Sequence, residues 1–176
     1  AYNPIRTQHT LVAVVKDKDG GLVSGATVEW ILNRAPGAVG DIVSMDGGSP
    51  KKIDNTYGTV KTDKNGEAKL TITSAREGIT DVTAYVPDIK DAAVHKEFAV
   101  KHWLDLTVRF PNSAINAVGT KHVFTVQTVK VSDGSAVGNV PVRFTISDNE
   151  PKASFGEAAP AATTYTMKTD PYGFAA

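Results

Sequence analysis

The sequence predicts an all-β protein built as tandem antiparallel β-sandwiches. Three observations carry this expectation. Among its 176 residues, Val (21) and Thr (19) swamp Leu (6) and Glu (6). Branched side chains suit a pleated surface, whereas helical proteins lean on Leu and Glu. Apolar residues also recur at every second position, the period of a strand with one buried face. Finally, the chain repeats itself. His9–Val15, the turn Asp17–Gly20 and Val23–Leu32 return as His122–Thr128, the turn Ser132–Gly134 and Val137–Ile146, at offsets of 113 and 114. Thr62-Asp63-Lys64-Asn65-Gly66-Glu67-Ala68 returns as Thr169-Asp170-Pro171-Tyr172-Gly173-Phe174-Ala175, at an offset of 107. Three matches in one order mean two related domains, 1–103 and 104–176.

Taken in order, Leu11, Ala13 and Val15 share one face of the first strand. After the turn, Val28, Trp30 and Leu32 share a face opposite Thr27, Glu29 and Ile31. Asn33–Asn55 carries Pro36, Pro50 and several glycines, and reads as a surface excursion with one short strand, Asp41–Ser44. Gly58–Lys61 is the next strand. After Asn65-Gly66, which suits a tight turn, Ala68, Leu70 and Ile72 alternate with Glu67, Lys69 and Thr71. Thr80–Val86 and Val94–His102 complete the first copy. Short strands with turn signals between them suggest two packed sheets. The second copy is led by the strand Leu104–Phe110, for which Ala1–Arg6 is too short in the first. It also lacks counterparts of Leu70–Thr73, Thr80–Val86 and Val94–His102. The expectation is that those strands come from flanking sequence or, by strand addition, from a neighbouring subunit. The connection Lys101–Leu106 has no Gly, Ser or Pro and reads as stiff, with Trp103 at the inter-domain junction.

The chemistry excluded is extensive. Lys plus Arg and Asp plus Glu are both 19, so no net charge draws the chain to nucleic acid or an anionic membrane. No run approaches the ~18 apolar residues of a membrane-spanning helix. Cysteine is absent, which removes disulfides, thiolate zinc sites and thiol catalysis. There is no Gly-rich phosphate loop and no nucleophile elbow. His9 and His122 occupy equivalent positions, so packing or hydrogen bonding explains them better than catalysis. His95 and His102, an odd number of residues apart, fall on opposite faces of a regular strand and cannot share a metal. Asp17-Lys18-Asp19-Gly20 begins like a calcium loop, but Gly21 and Val28 stand where further ligands are needed. It and Asp63–Gly66 read as turns in which Asp caps the backbone. A calcium ion in the linker between the modules is the alternative, with Asp88, Asp91 and Asp105 the nearest carboxylates to the junction. No metal, cofactor or catalytic residue is expected. Trp30 and Phe144, each in phase with aliphatic neighbours, are read as structural core, while Tyr57 and Tyr85 are candidates for exposed contact. A Lys–Asn crosslink is compatible with the sequence and would show in the intact mass as a loss of ammonia.

At His9–Val15, Val23–Trp30 and Thr62–Ala68 the sequence resembles the bacterial immunoglobulin-like repeats of large cell-surface proteins, of the invasin/intimin group 1 type. Their phrases are H-T-L-x-A-x-V, V-x-G-x-x-V-x-[FW] and T-D-x-[ND]-G-x-A. The second copy matches more weakly, with Tyr172 where the turn usually has Asn or Asp. The resemblance implies an extracellular, non-catalytic module on the bacterial surface, with neighbouring repeats or like subunits as partners. Two functions follow: a stiff structural spacer of a surface, fibre or envelope-layer protein, or an adhesin-type module using Asn33–Asn55 to recognise a protein or carbohydrate on a host cell.

Overall fold

The computed structural model describes residues 1–32, 37–147, 153–156 and 162–176. The chain divides into two units, Ala1–Asp105 and Leu106–Ala176, and all the regular structure among the described residues is β.

The first unit is an immunoglobulin-like sandwich. Its described strands are β1 (Tyr2–Pro4), β2 (Gln8–Val14), β3 (Thr27–Leu32), β4 (Asp41–Asp46), β5 (Gly48–Lys52), β6 (Tyr57–Lys61), β7 (Glu67–Thr73), β8 (Gly78–Tyr85) and β9 (Lys96–Leu104). One sheet has the order β1-β9-β8-β3-β6-β5 and the other β2-β7-β4. All pairs are antiparallel except β1 on β9, which is parallel. The core lies on the alternating residues: Val28, Trp30 and Leu32 of β3 and Ala68, Leu70 and Ile72 of β7 are buried. Each of the Val, Leu and Ile side chains contributes about 1.5–3 kcal/mol by leaving water. Leu11 and Ala13, opposite Leu70 and Ala68, are only half-buried, because β2 is an edge strand.

Two segments differ from the sequence expectation. Asn33–Asn55 is not mainly a loop. Residues 33–36 lie outside the described residues, but Asp41–Asp46 and Gly48–Lys52 are both strands, β4 pairing with β7 and β5 with β6. The excursion therefore crosses from one sheet to the other. A bulge between Ile42 and Ser44 breaks the alternation, so Val43 and Ser44 are both exposed and the next side chain to turn inward after Ile42 is Met45. Pro50 is accommodated because β5 is an edge strand, where a missing N–H costs no ladder bond. Met45 then lies over Gly58, where an added Cβ would come within 2.5 Å of its Cε. Ala1–Arg6, too short for a full leading strand, still supplies β1 beside β9.

The second unit contains β10 (Thr107–Arg109), β11 (Val126–Val129), β12 (Pro141–Thr145), β13 (Thr164–Lys168) and β14 (Phe174–Ala175). They form a β10-β11-β14 sheet and a β12-β13 pair, all antiparallel. Val126, Val142 and Ala175 form a small core with Phe144 and Met167 packed against it. The expected strand Leu104–Phe110 is divided: Leu104 ends β9 of the first unit and only Thr107–Arg109 pairs in the second.

Candidate functional site

The feature common to both units is a hydrogen-bonded clasp built on the repeated phrases. In the first, buried Thr62 donates its hydroxyl to Val23 O (2.6 Å) and accepts from Ala26 N (3.0 Å). In the second, buried Thr169 donates to Val137 O (3.3 Å) and accepts from Val140 N (3.0 Å). The next residue fixes the turn. Asp63 Oδ1 accepts from Asn65 N (2.8 Å) and Glu67 N (3.0 Å), and Asp170 Oδ1 from Tyr172 N and Phe174 N (both 2.8 Å). Gly66 and Gly173 follow at φ +69° and +80°. A side chain at either would collide with backbone, since a Cβ would lie 2.9 Å from Val15 O or 2.4 Å from Thr128 O. Gly66 O and Gly173 O accept from Val15 N (2.9 Å) and Thr128 N (2.8 Å). Register is shared as well: Ala13 faces Ala68 and Val126 faces Ala175. Tyr172 thus makes the same turn as Asn65.

The backbone N–H of Glu67 holds the Asp63 carboxyl below its ordinary pKa; desolvation opposes this and the Asn65 N–H adds to it. Asp17 is engaged in the same manner, accepting from Asp19 N (2.9 Å) and Gly21 N (2.8 Å), with Gly20 at φ +86°. Asp91 accepts from Ala93 N at 2.9 Å. These carboxylates serve their own turns.

The remaining sequence candidates are dispersed. Trp30 is buried and its Nε1 has no partner among the described residues. It lines a groove of about 350 Å³ between β2 and the β8–β9 strands. Phe144 is half-buried. Trp103 is buried in β9, where its Nε1 donates to Thr80 Oγ1 at 2.9 Å, within the first unit. Tyr57 is half-buried and donates to Glu29 Oε2 at 3.1 Å; burial, then that contact, raises its pKa. Tyr85 meets the edge of His95, ring centres 5.2 Å apart. His102 stacks on Tyr2 at 4.5 Å, while His95 lies just before β9. His9 sits half-buried in β2, its pKa lowered by burial and then by Lys101. Its counterpart His122 is outside any strand, against Phe124 at 4.4 Å.

Sequence reasoning missed Lys101. It is 1% exposed, in phase with Trp103 on the inward face of β9, while Phe98 and Val100 point outward at 73% and 48%. Its Nζ contacts Asn3 Oδ1 on β1 and lies 5.4 Å from the Trp103 ring centre. The signal was available: a lysine two residues from a core tryptophan shares its face.

No family model matches the chain, and no curated protein matches it. Among solved structures it is similar to invasin, a bacterial integrin-binding protein, at 19% identity and a TM-score of 0.42, covering 95% of this chain and 31% of that one. It is also similar to the D0–D1 domains of intimin, at 21% identity and a TM-score of 0.39, covering 97% and 74%. The chain spans less than a third of the length of the invasin structure.

Proposed function

We propose that the chain is a non-catalytic structural segment of a bacterial cell-surface, fibre or envelope-layer protein, a stiff tandem spacer that associates with neighbouring repeats or like subunits by strand pairing. The observation that carries this reading is the duplicated clasp. What the two units repeat, atom for atom, is a backbone hydrogen-bond frame around Thr62 and Thr169, not a set of reactive groups. The resemblance of the repeated phrases to bacterial surface repeats supports an extracellular setting. Strand pairing is supported by residues 121–125. Their counterparts in β2 pair with β7, whereas these form no strand and expose Val123 and Phe124. The adhesin reading would use Asn33–Asn55, but Asp41–Asp46 and Gly48–Lys52 are committed to both sheets, which weighs against a free recognition loop.

The test is sedimentation and light scattering of the chain over a range of concentration, beside adhesion of chain-coated beads to cells. Concentration-dependent association without adhesion is the expected result. A strict monomer that adheres to cells would overturn the spacer reading in favour of the adhesin.

A further inference from the structure

The outer edge of β2 is open, whereas the equivalent edge in the second unit is covered. Val15 N donates to Gly66 O. Backbone groups alternate sides along an antiparallel strand, so Leu11 and Ala13 also bond toward β7, while Val12 and Val14 turn N–H and C=O away from it. Among the described strands β2 ends its sheet, and no strand meets those groups. In the second unit Thr128 N donates to Gly173 O in the same way, so β11 turns Gln127 and Val129 outward. There β10 takes them up, antiparallel, with Arg109 opposite Gln127 and Thr107 opposite Val129. Gln127 is the counterpart of Val14, because Val126 faces Ala175 as Ala13 faces Ala68. The second unit thus shows what such an edge accepts, a short antiparallel strand.

The open edge borders the groove that Trp30 lines. Leu11, Ala13 and Val15 lie on one side of it, and Val94, Phe98 and Ala99 on the other. On that far side β9 pairs with β1 only from His102 to Leu104. Trp30 Nε1 is buried with no partner among the described residues. A buried donor needs an acceptor, and the carbonyls of a seated strand are acceptors.

The chain carries a segment suited to this seat. Residues 110–120 contain no charged side chain, and residues 111–117 are in no strand. Over 112–117 Asn112, Ala114 and Asn116 alternate with Ser113, Ile115 and Ala117, the period of a strand with one apolar face. Ile115 is fully exposed. A turn in which Thr120 N donates to Ala117 O at 3.2 Å ends the segment. As a strand of about 20 Å, it would carry Ile115 into the groove and keep both asparagines in water. Residues 121–125 fit less well, since Lys121 and His122 would meet Lys16, His95 and Lys96 at the groove.

We propose that the groove beside β2 is a strand-docking seat, which a second copy of the chain fills with residues 112–117, antiparallel to β2. The proposal rests on the strand-pairing reading above and gives it a seat and a donor. Seat and donor lie on different units of the chain, so the contact is heterologous and repeats from copy to copy.

The test pairs two variants of the full chain. Ile115→Lys charges the donor and spares the seat. Val14→Pro removes an N–H that the β2–β7 ladder does not use, which an edge strand tolerates, and spares the donor. By light scattering, wild-type mass should rise with concentration and each variant alone should stay monomeric. An equal mixture of the two keeps one working seat and one working donor, so it should stop at about twice the monomer mass. Hydrogen exchange reads the seat on the wild type itself: Val14 N–H should exchange more slowly at associating concentrations than in dilute solution. A monomeric wild type would overturn this proposal and the strand-pairing reading together. Association with Val14 N–H exchanging equally fast throughout, or untouched by either variant, would overturn the seat and leave strand pairing to another edge. Association lost in Phe124→Lys and kept in Ile115→Lys would overturn the donor in favour of residues 121–125.

Discussion

The strands that open the two repeats, near His9 and near His122, begin from similar sequence and end in different states. Gln8–Val14 forms one continuous strand against Glu67–Thr73. In the second unit only Val126 and Gln127 pair with β14, in matching register, and residues 121–125 form no strand. The clasps, by contrast, share the same frame of threonine, aspartate and backbone hydrogen bonds, to which the second adds the hydroxyl of Thr128, where the first has Val15. A clasp is made of contacts that its own residues supply, so the phrase suffices to build it. A strand is completed by a neighbour, and the same alternation stays unpaired where no neighbour lies alongside.

The largest effect should separate the two cores. Trp30→Ala should cost the first unit about 3–5 kcal/mol, since Trp30 is 2% exposed. Phe144→Ala should cost the second no more than about 2 kcal/mol, because a half-buried ring forfeits only part of its transfer energy. Urea titration followed by amide hydrogen exchange would assign each loss to its unit. Equal losses would mean that the small core around Val126 is tighter than its burial indicates.

The clasps should respond alike. Thr62→Val strands the Ala26 N–H and the Val23 C=O, and Thr169→Val strands the Val140 N–H, since the Thr128 hydroxyl also donates to Val137 O; each should cost about 1–3 kcal/mol. The glycines of the same turns sharpen the point. Gly66→Ala and Gly173→Ala should each cost about 1–3 kcal/mol for a strained φ, with the second worse because its Cβ would approach backbone oxygen more closely. Exchange protection at Val15 N and Thr128 N would report each local loss. If Thr62→Val were severe and Thr169→Val silent, the equivalence of the two frames would fail.

The smallest effect is on acid stability. Glu67 N–H holds Asp63 below its ordinary value, and the Ser135 hydroxyl and N–H do the same for Asp133. A depressed folded pKa means stability fully present above the unfolded pKa near ~3.9 and lost as pH falls through the lower folded value. Asp63→Asn should flatten the acid limb of the first unit, and Asp133→Asn that of the second. Melting temperature against pH below 5 would check it. Asp133 is exposed and Asp63 only half-buried, so water screens both carboxylates and the change should be small.

Much of this was legible in the sequence. The repeats, the Asp–Gly turns and the core of Val28, Trp30, Leu32, Leu70 and Ile72 follow from spacing and residue type. What was not legible depended on partners or on broken phase. The bulge at Val43 interrupts the alternation of β4, and Pro50 disguises an edge strand. Lys101 shares a strand face with Trp103, but its partner Asn3, 98 positions away, shows only in the fold. Trp103 reads as a junction residue by its position in the chain, yet Thr80 takes up its indole N–H.

The parallel pairing of β1 with β9 has a consequence under tension. Force applied through Ala1 and Asp105 would pull β1 toward its amino end and β9 toward its carboxyl end. Because the two strands point the same way, they would slide past one another rather than peel apart. The bonds that span them, including His102 N to Ala1 O and Ile5 N to Leu104 O, both at 2.9 Å, would load together instead of one after another. Shearing has to break them at once, whereas unzipping breaks them singly, and forced unfolding is governed by that barrier rather than by equilibrium stability. The three-residue strand Tyr2–Pro4 would therefore set the rupture force of the first unit out of proportion to its length.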